Sequence, residues 1–160
     1  MDDIADRPNS IPWPPLLYGG AVAVALLLNW IMPSPWFQPP TSVLIGILGS
    51  GLALMAIIID MMVIQDMWRA KTAILPTRGA SKLLTTGLFA LSRNPIYVAN
   101  TLLVVGIALW LGNLWMLMTC MWAAFLTHYL AIRREEDHLA ARFGAEWEDY
   151  KARTARWLFF

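Results

Sequence analysis

Apolar positions along the chain gather into a few long runs, and the stretches between them hold nearly all the charge. The first run is Leu16–Met32, closed by "PSPWFQPP", a Pro-rich uncharged turn flanked by Trp30 and Trp36. The second is Ser42–Val63, whose "GILGSG" and "ALMA" stretches offer small residues for close helix packing. The last extends from Ile96 to Ile132. As one helix it would measure about 55 Å at 1.5 Å per residue, against a bilayer core of about 30 Å. It must fold back, and Gly112-Asn113 is the polar turn signal near its middle. The pattern predicts an all-α integral membrane fold with four transmembrane helices over about 16–32, 42–63, 96–111 and 114–132. The third and fourth form a tight hairpin. A loop over 64–95 and a tail over 133–160 complete a single domain spanning 1–160.

The tail changes period. Leu139, Phe143, Trp147 and Tyr150 recur at three- or four-residue spacing, the stripe of a C-terminal amphipathic helix lying against the membrane face. Gly144 is a point of interruption, and Trp157–Phe160 are expected to dip into the interface.

Composition agrees with this reading. The chain is 58% hydrophobic and 14% charged, where a soluble domain carries nearer a quarter charged residues. The net charge of +1 points to no nucleic-acid partner. A single cysteine, Cys120, excludes an intrachain disulfide and a multi-cysteine metal site, and no metal is expected. Its apolar surroundings make it a small hydrophobe. The N-terminal "MDDIADRPNSIPWPP" has no basic region before the first apolar run, so the first span is expected to persist in the mature protein.

Lys and Arg then set the orientation. Arg69, Lys71, Arg78, Lys82 and Arg93 lie in 64–95, and Arg133, Arg134, Arg142, Lys151, Arg153 and Arg156 lie in the tail. Loop 33–41 and the turn at 112–113 carry none. With four spans Arg7 joins the same side, and both termini are expected in the cytoplasm.

Two polar clusters share that side: "TTGLFALSRNPIY" before the third span and "HYLAIRREE" after the fourth. The hairpin brings them together. Pro95 disfavours helical geometry at Asn94 but suits a first helical turn. Arg93 and Asn94 thus sit at a positive helix end with free backbone donors. Tyr97 and Thr101 follow Asn94 on one face, and Glu135 lies about 20° off the line of His128 on a regular helix. Glu136 similarly follows Tyr129. A guanidinium, an amide, a phenol, an imidazole and two carboxylates are therefore expected around one pocket, suited to a zwitterionic polar ligand. Each also has a plainer reading: Arg93 as a topology-setting flank, Tyr97 as an aromatic-belt residue, His128 as an interfacial histidine. Glu135 and Glu136 alone read as a solvated face paired with Arg133 or Arg134. Asp60, near the end of the second span, is an intramembrane acid and a functional suspect.

"LLTTGLFALSRNPIYVANTLLVVGIAL" followed by "REEDHLAARFGAEWEDYKARTARWL" resembles the isoprenylcysteine carboxyl methyltransferase and phospholipid methyltransferase group of integral membrane enzymes, over about Thr72–Leu158. Asn94, where eukaryotic members have His, fits the bacterial branch. The resemblance implies S-adenosylmethionine as methyl donor, held between hairpin and tail. By motif position it implies donor binding by Gly87, Arg93, Asn94, Pro95, Tyr97, Glu135 and Glu136. It places Arg156 over the substrate and Asn94 in an orienting role. Should the acceptor be an ammonium, His128 or Asp60 is a candidate base. "GSG" at 49–51 is read as helix packing rather than a donor loop.

The expected activity is methyl transfer to a lipidic or small hydrophobic acceptor: an isoprenylcysteine-like carboxylate, a phospholipid amine or a thiol. A non-catalytic membrane subunit retaining the fold is the alternative. A sterol-type reductase ranks last, because it needs more spans. With no organelle signal, a bacterial inner membrane is expected.

Overall fold

The computed structural model describes residues 8–75 and 77–158. Arg7 and Phe159–Phe160, which carried parts of the topology and interface expectations, lie outside the described residues. Within the described residues every regular element is helical: α1 (Trp13–Ile31), α2 (Thr41–Arg69), a 3₁₀ turn (Gly87–Ala90), α3 (Pro95–Leu111) and α4 (Leu114–Thr127). A π-helical stretch (His128–Ile132) then leads without a break into α5 (Arg133–Phe143), and α6 (Ala145–Arg153) follows. Trp13–Ile31, Thr41–Arg69 and the continuous Leu114–Phe143 are each long and apolar enough to cross a membrane. Pro95–Leu111, at 17 residues, is a shorter apolar helix.

The bundle pairs α2 with α3 and α1 with α4, and α3 against α4 joins the two pairs. Lipid gives little reward for burying one more aliphatic chain, so close backbone approach decides the packing. On α2 the buried positions are Gly49, Ala56 and Val63, seven residues apart. Large residues such as Leu44, Ile47, Leu48 and Met61 face outward. A Cβ on Gly49 would lie 2.6 Å from the Gly106 carbonyl oxygen, and one on Gly106 would lie 2.6 Å from the Ala53 nitrogen. The backbones touch there. Of the "GSG" glycines, Gly49 is thus a packing residue, as its sequence context predicts, while Gly51 would meet nothing within 4 Å.

The other half packs around Tyr18, Ala21 and Ala25 of α1, Val104 and Ala108 of α3, and Met116, Cys120 and Ala123 of α4. Cys120 is buried.

The hairpin turns where the polar pair predicts. Gly112 takes φ 65° and ends α3, and its neighbour Asn113 caps α4 by accepting from the Met116 N–H at 3.1 Å. Trp36 closes over this turn so tightly that a Cβ on Gly112 would sit 2.6 Å from its ring.

At the opposite end the tail departs from expectation. Its first half is not a separate helix but the continuation of α4 through the π stretch. Only Gly144, at φ 50°, breaks the chain's direction before α6.

Candidate active site

Helix α3 starts where its sequence says it should. Pro95 occupies the first turn, where its missing N–H is no loss, and Asn94 before it is held out of helical geometry at φ −131°. Asn94 does not cap the helix with its side chain. Instead its Nδ2 donates to the Arg156 carbonyl at 3.0 Å. Ser92 Oγ donates to the same carbonyl at 3.2 Å, and the Arg93 N–H donates to Ala155 O at 2.9 Å. The segment after α6 is strapped across the start of α3.

Below the strap, Glu136 is buried between two guanidiniums. Arg156 donates to it from Nε at 2.8 Å and from an NH group at 2.6 Å, the bidentate geometry that suits a carboxylate. Arg93 meets Oε1, the oxygen that Arg156 Nε also engages, at 3.1 Å, with only 8% of the Arg93 side chain exposed. The Arg93 guanidinium also lies 5.6 Å from the Trp147 ring centroid. Burial pulls the Arg93 guanidinium below the usual arginine range, Glu136 opposes that pull, and Arg156 adds to it. Arg156 is raised instead, chiefly by its hydrogen bonds to Glu136. The solvated-face reading of Glu136 is thereby overturned: its partners are Arg93 and Arg156, not Arg133 or Arg134.

Glu135, one residue earlier, has a different fate. Tyr97 Oη donates to its Oε1 at 2.6 Å. Both side chains line a cleft of about 130 Å³. Its walls are loop 72–84, the start of α3 and one face of α5, and Tyr150 lies across it. Arg93 and Asn94 line the cleft, as do Arg78 and Lys82 from the loop. The Arg93 Nε is buried with no hydrogen-bond partner.

Loop 72–84 folds on itself: Thr72 Oγ1 accepts from the Ser81 and Lys82 N–H groups, and Ser81 Oγ donates to Lys71 O at 2.8 Å. It docks on α5 where the Ala80 N–H donates to His138 Nε2 at 3.1 Å. Tyr150 is fixed by donating to Phe89 O at 2.6 Å, and burial pushes its phenol well above the usual range.

The expected single pocket is therefore divided. Arg93, Asn94, Pro95, Tyr97 and Glu135 line one cleft. Glu136 and Arg156 brace the strap beside it. Gly87 starts the 3₁₀ turn with φ 62°, near Asp66, and does not line the cleft. His128 lines a second, shallower depression with Thr101, Ala124, Phe125, Tyr129 and Trp157.

The π stretch explains this separation. Its wider turn takes up an extra residue, so Glu135 does not continue the line of His128 as on a regular helix. Asp60 lines neither cavity, and its Oδ1 is buried without a partner. The sequence reading missed His138, although it follows Glu135 at helical spacing and could have been found there. It also gave Trp147 and Tyr150 only as a membrane-facing stripe, whereas both are buried under the site.

No solved structure matches the chain. The nickel-cobalt-cadmium resistance protein NccN of Alcaligenes xylosoxydans xylosoxydans is 36% identical over 77 residues, 48% of this chain and 36% of that protein. The chain thus spans about a third of the length of the curated relative it matches. The phospholipid methyltransferase family model matches residues 44–146, a stretch that includes most of α2, all of α3, the π turn and Glu135, and the chain belongs to that family.

Proposed function

We propose that the protein is an S-adenosylmethionine-dependent methyltransferase of the bacterial inner membrane. Its acceptor is a lipidic or small hydrophobic molecule: an isoprenylcysteine-like carboxylate, a phospholipid amine or a thiol. The observation that carries the reading is one cleft in a phospholipid methyltransferase family chain that gathers Arg93, Tyr97 and Glu135. In this reading the chain is one domain with four spans, the shorter Pro95–Leu111 included. Both termini, loop 64–95 and the tail lie in the cytoplasm, following the one-sided Lys and Arg.

The residues present fit the donor's chemistry. Arg93, buried with an unpartnered Nε, suits a carboxylate, and Glu135 suits an ammonium or ribose hydroxyls. The Tyr97 ring offers an aromatic face to positive charge. S-adenosylmethionine supplies an electrophilic methyl group that leaves its sulfonium by in-line displacement. The chain's part is then mainly alignment. Asn94 and Ser92 hold the strap, Glu136 holds Arg93 and Arg156 in place, and Leu83, Leu84 and Leu139 exclude water from the cleft. His128 lines the second depression, and in this reading it would take the proton from an ammonium acceptor arriving from the bilayer.

The test is titration of detergent-purified protein with S-adenosylhomocysteine, followed by labelled-methyl transfer to total membrane lipids and small thiols. Micromolar binding and a labelled lipid or thiol product are expected. No binding at millimolar ligand would sink the reading and leave a scaffold subunit.

A further inference from the structure

α1 lies outside the family-matched stretch 44–146, yet it sends one hydroxyl to the turn of α3 that carries Tyr97. Tyr18 is buried in the bundle with its Oη 2.6 Å from Thr101 Oγ1 and 3.5 Å from the Tyr97 carbonyl oxygen. Thr101 Oγ1 itself donates to that Tyr97 carbonyl at 2.8 Å. A threonine hydroxyl has one proton. Thr101 Oγ1 lies nearer the Tyr97 carbonyl than Tyr18 Oη does, so the geometry favours Thr101 as donor to that carbonyl and Tyr18 as donor to Thr101. The favoured proton order runs from Tyr18 Oη to Thr101 Oγ1 and from Thr101 Oγ1 to Tyr97 O, and separately from Tyr97 Oη to Glu135. Thr127 of α4, buried, is a further polar neighbour of Tyr18, and Cys120 Sγ lies 3.7 Å from Thr101 O.

The placement gives this relay its meaning. Tyr97 lines the cleft, Thr101 lines the second depression, and the two residues are one turn apart on α3. That turn therefore carries one lining residue of each cavity. A threonine hydroxyl bonded to the carbonyl four residues back bends a helix. Whatever fixes the hydroxyl therefore fixes how the turn aims Tyr97.

We infer that Tyr18 is a positioning residue: by donating to Thr101 it sets the Tyr97–Thr101 turn of α3 so that Tyr97 meets Glu135. The functional consequence rests on the methyl-donor reading above. The geometric consequence does not.

The chain has four tyrosines, Tyr18, Tyr97, Tyr129 and Tyr150, so ring-Cζ carbon-13 labelling gives four resonances, assignable by single Tyr→Phe changes. In Tyr18→Phe the Tyr97 resonance is expected to move, as it should also in Glu135→Gln, while Tyr129 and Tyr150 stay in place. Thr101→Val should reproduce the shift and Thr101→Ser should restore the native position. This pair also serves if Tyr18→Phe folds poorly. Affinity for S-adenosylhomocysteine should fall about 3- to 10-fold in Tyr18→Phe and Thr101→Val, with thermal stability nearly unchanged, as for one neutral hydrogen bond. A Tyr97 resonance indifferent to both Tyr18→Phe and Thr101→Val overturns the inference. Wild-type protein that ignores S-adenosylhomocysteine while Tyr97 still responds to Tyr18 overturns the donor reading and leaves the positioning role standing.

Discussion

The α2–α3 interface and the strap over α3 are both tight contacts between distant parts of the chain, but opposite chemistry holds them. At Gly49 and Gly106 the helices meet because side chains are missing, and backbone touches backbone. At Glu136 three segments meet because side chains reach: Arg93, Glu136 and Arg156 join the start of α3, α5 and the segment after α6. The first contact tolerates no added atom. The second tolerates added volume better than lost charge. The first kind relies on close backbone approach alone, and the second on charges brought together from three segments.

The sharpest way to break the comparison is Gly106→Val. Its new Cβ would meet backbone atoms of Ala53 and Gly49, which cannot swing aside like a flexible side chain. We expect no monodisperse folded protein by size-exclusion chromatography. A folded variant of native stability would mean the helices do not pack by contact at this point.

Next in size is Glu136→Gln, which keeps the volume but leaves two guanidiniums facing each other. Breaking a buried ion pair in this way costs roughly 3 kcal/mol. The variant should insert but unfold at a clearly lower temperature, with strap cleavage by limited proteolysis as a second readout. Equal stability to wild type would argue that the strap is held by the Ser92, Arg93 N–H and Asn94 hydrogen bonds to its carbonyls alone.

Glu135→Gln sharpens the contrast between neighbouring acids. Glu135 is held by a phenol rather than an ion pair, so stability should change little. Affinity for S-adenosylhomocysteine should fall about 10- to 150-fold, the loss of a charge-assisted contact worth about 1.5–3 kcal/mol. If calorimetric titration shows unchanged affinity, Glu135 does not face the donor.

The smallest effect belongs to Asn94. Its amide donates to the Arg156 carbonyl, a job an imidazole N–H can also do. Asn94→His should therefore keep most of the methyl-transfer rate. Asn94→Leu should lose several-fold in turnover with little loss of folded protein. Full activity in the Leu variant would reduce Asn94 to a residue chosen for backbone geometry.

Much of this was legible in the sequence, for physical reasons that can be named. Apolar runs bounded by Pro and Trp mark the helices, and Gly112-Asn113 marks the hairpin because few other pairs suit that turn. Small residues in α2 announce close packing. Arg93-Asn94-Pro95 announces a helix start, and Glu135 and Glu136 were rightly set near it. The division of labour between the two carboxylates was not legible, because it depends on the π stretch, and "HYLAI" carries no residue that demands one. Nor was the docking of loop 72–84 on His138, a contact between a backbone N–H and a ring nitrogen 58 residues apart. Tyr18 was hidden for the same reason: a lone tyrosine in an apolar run looks like any belt aromatic until its partner across the bundle is known.

The π stretch has one more consequence. It behaves as a single-residue insertion that the helix has absorbed without breaking. Deleting one residue within 128–132 would leave a regular α-helix with the downstream face still in phase, whereas deleting one from the regular turns of α4 would rotate everything downstream by about 100°. Glu135 would swing off Tyr97, and Glu136 would leave the two arginines together. Reading frame along this helix is therefore a coordinate of the site: a length change of one residue outside the π stretch, with no side chain of the site replaced, would dismantle it.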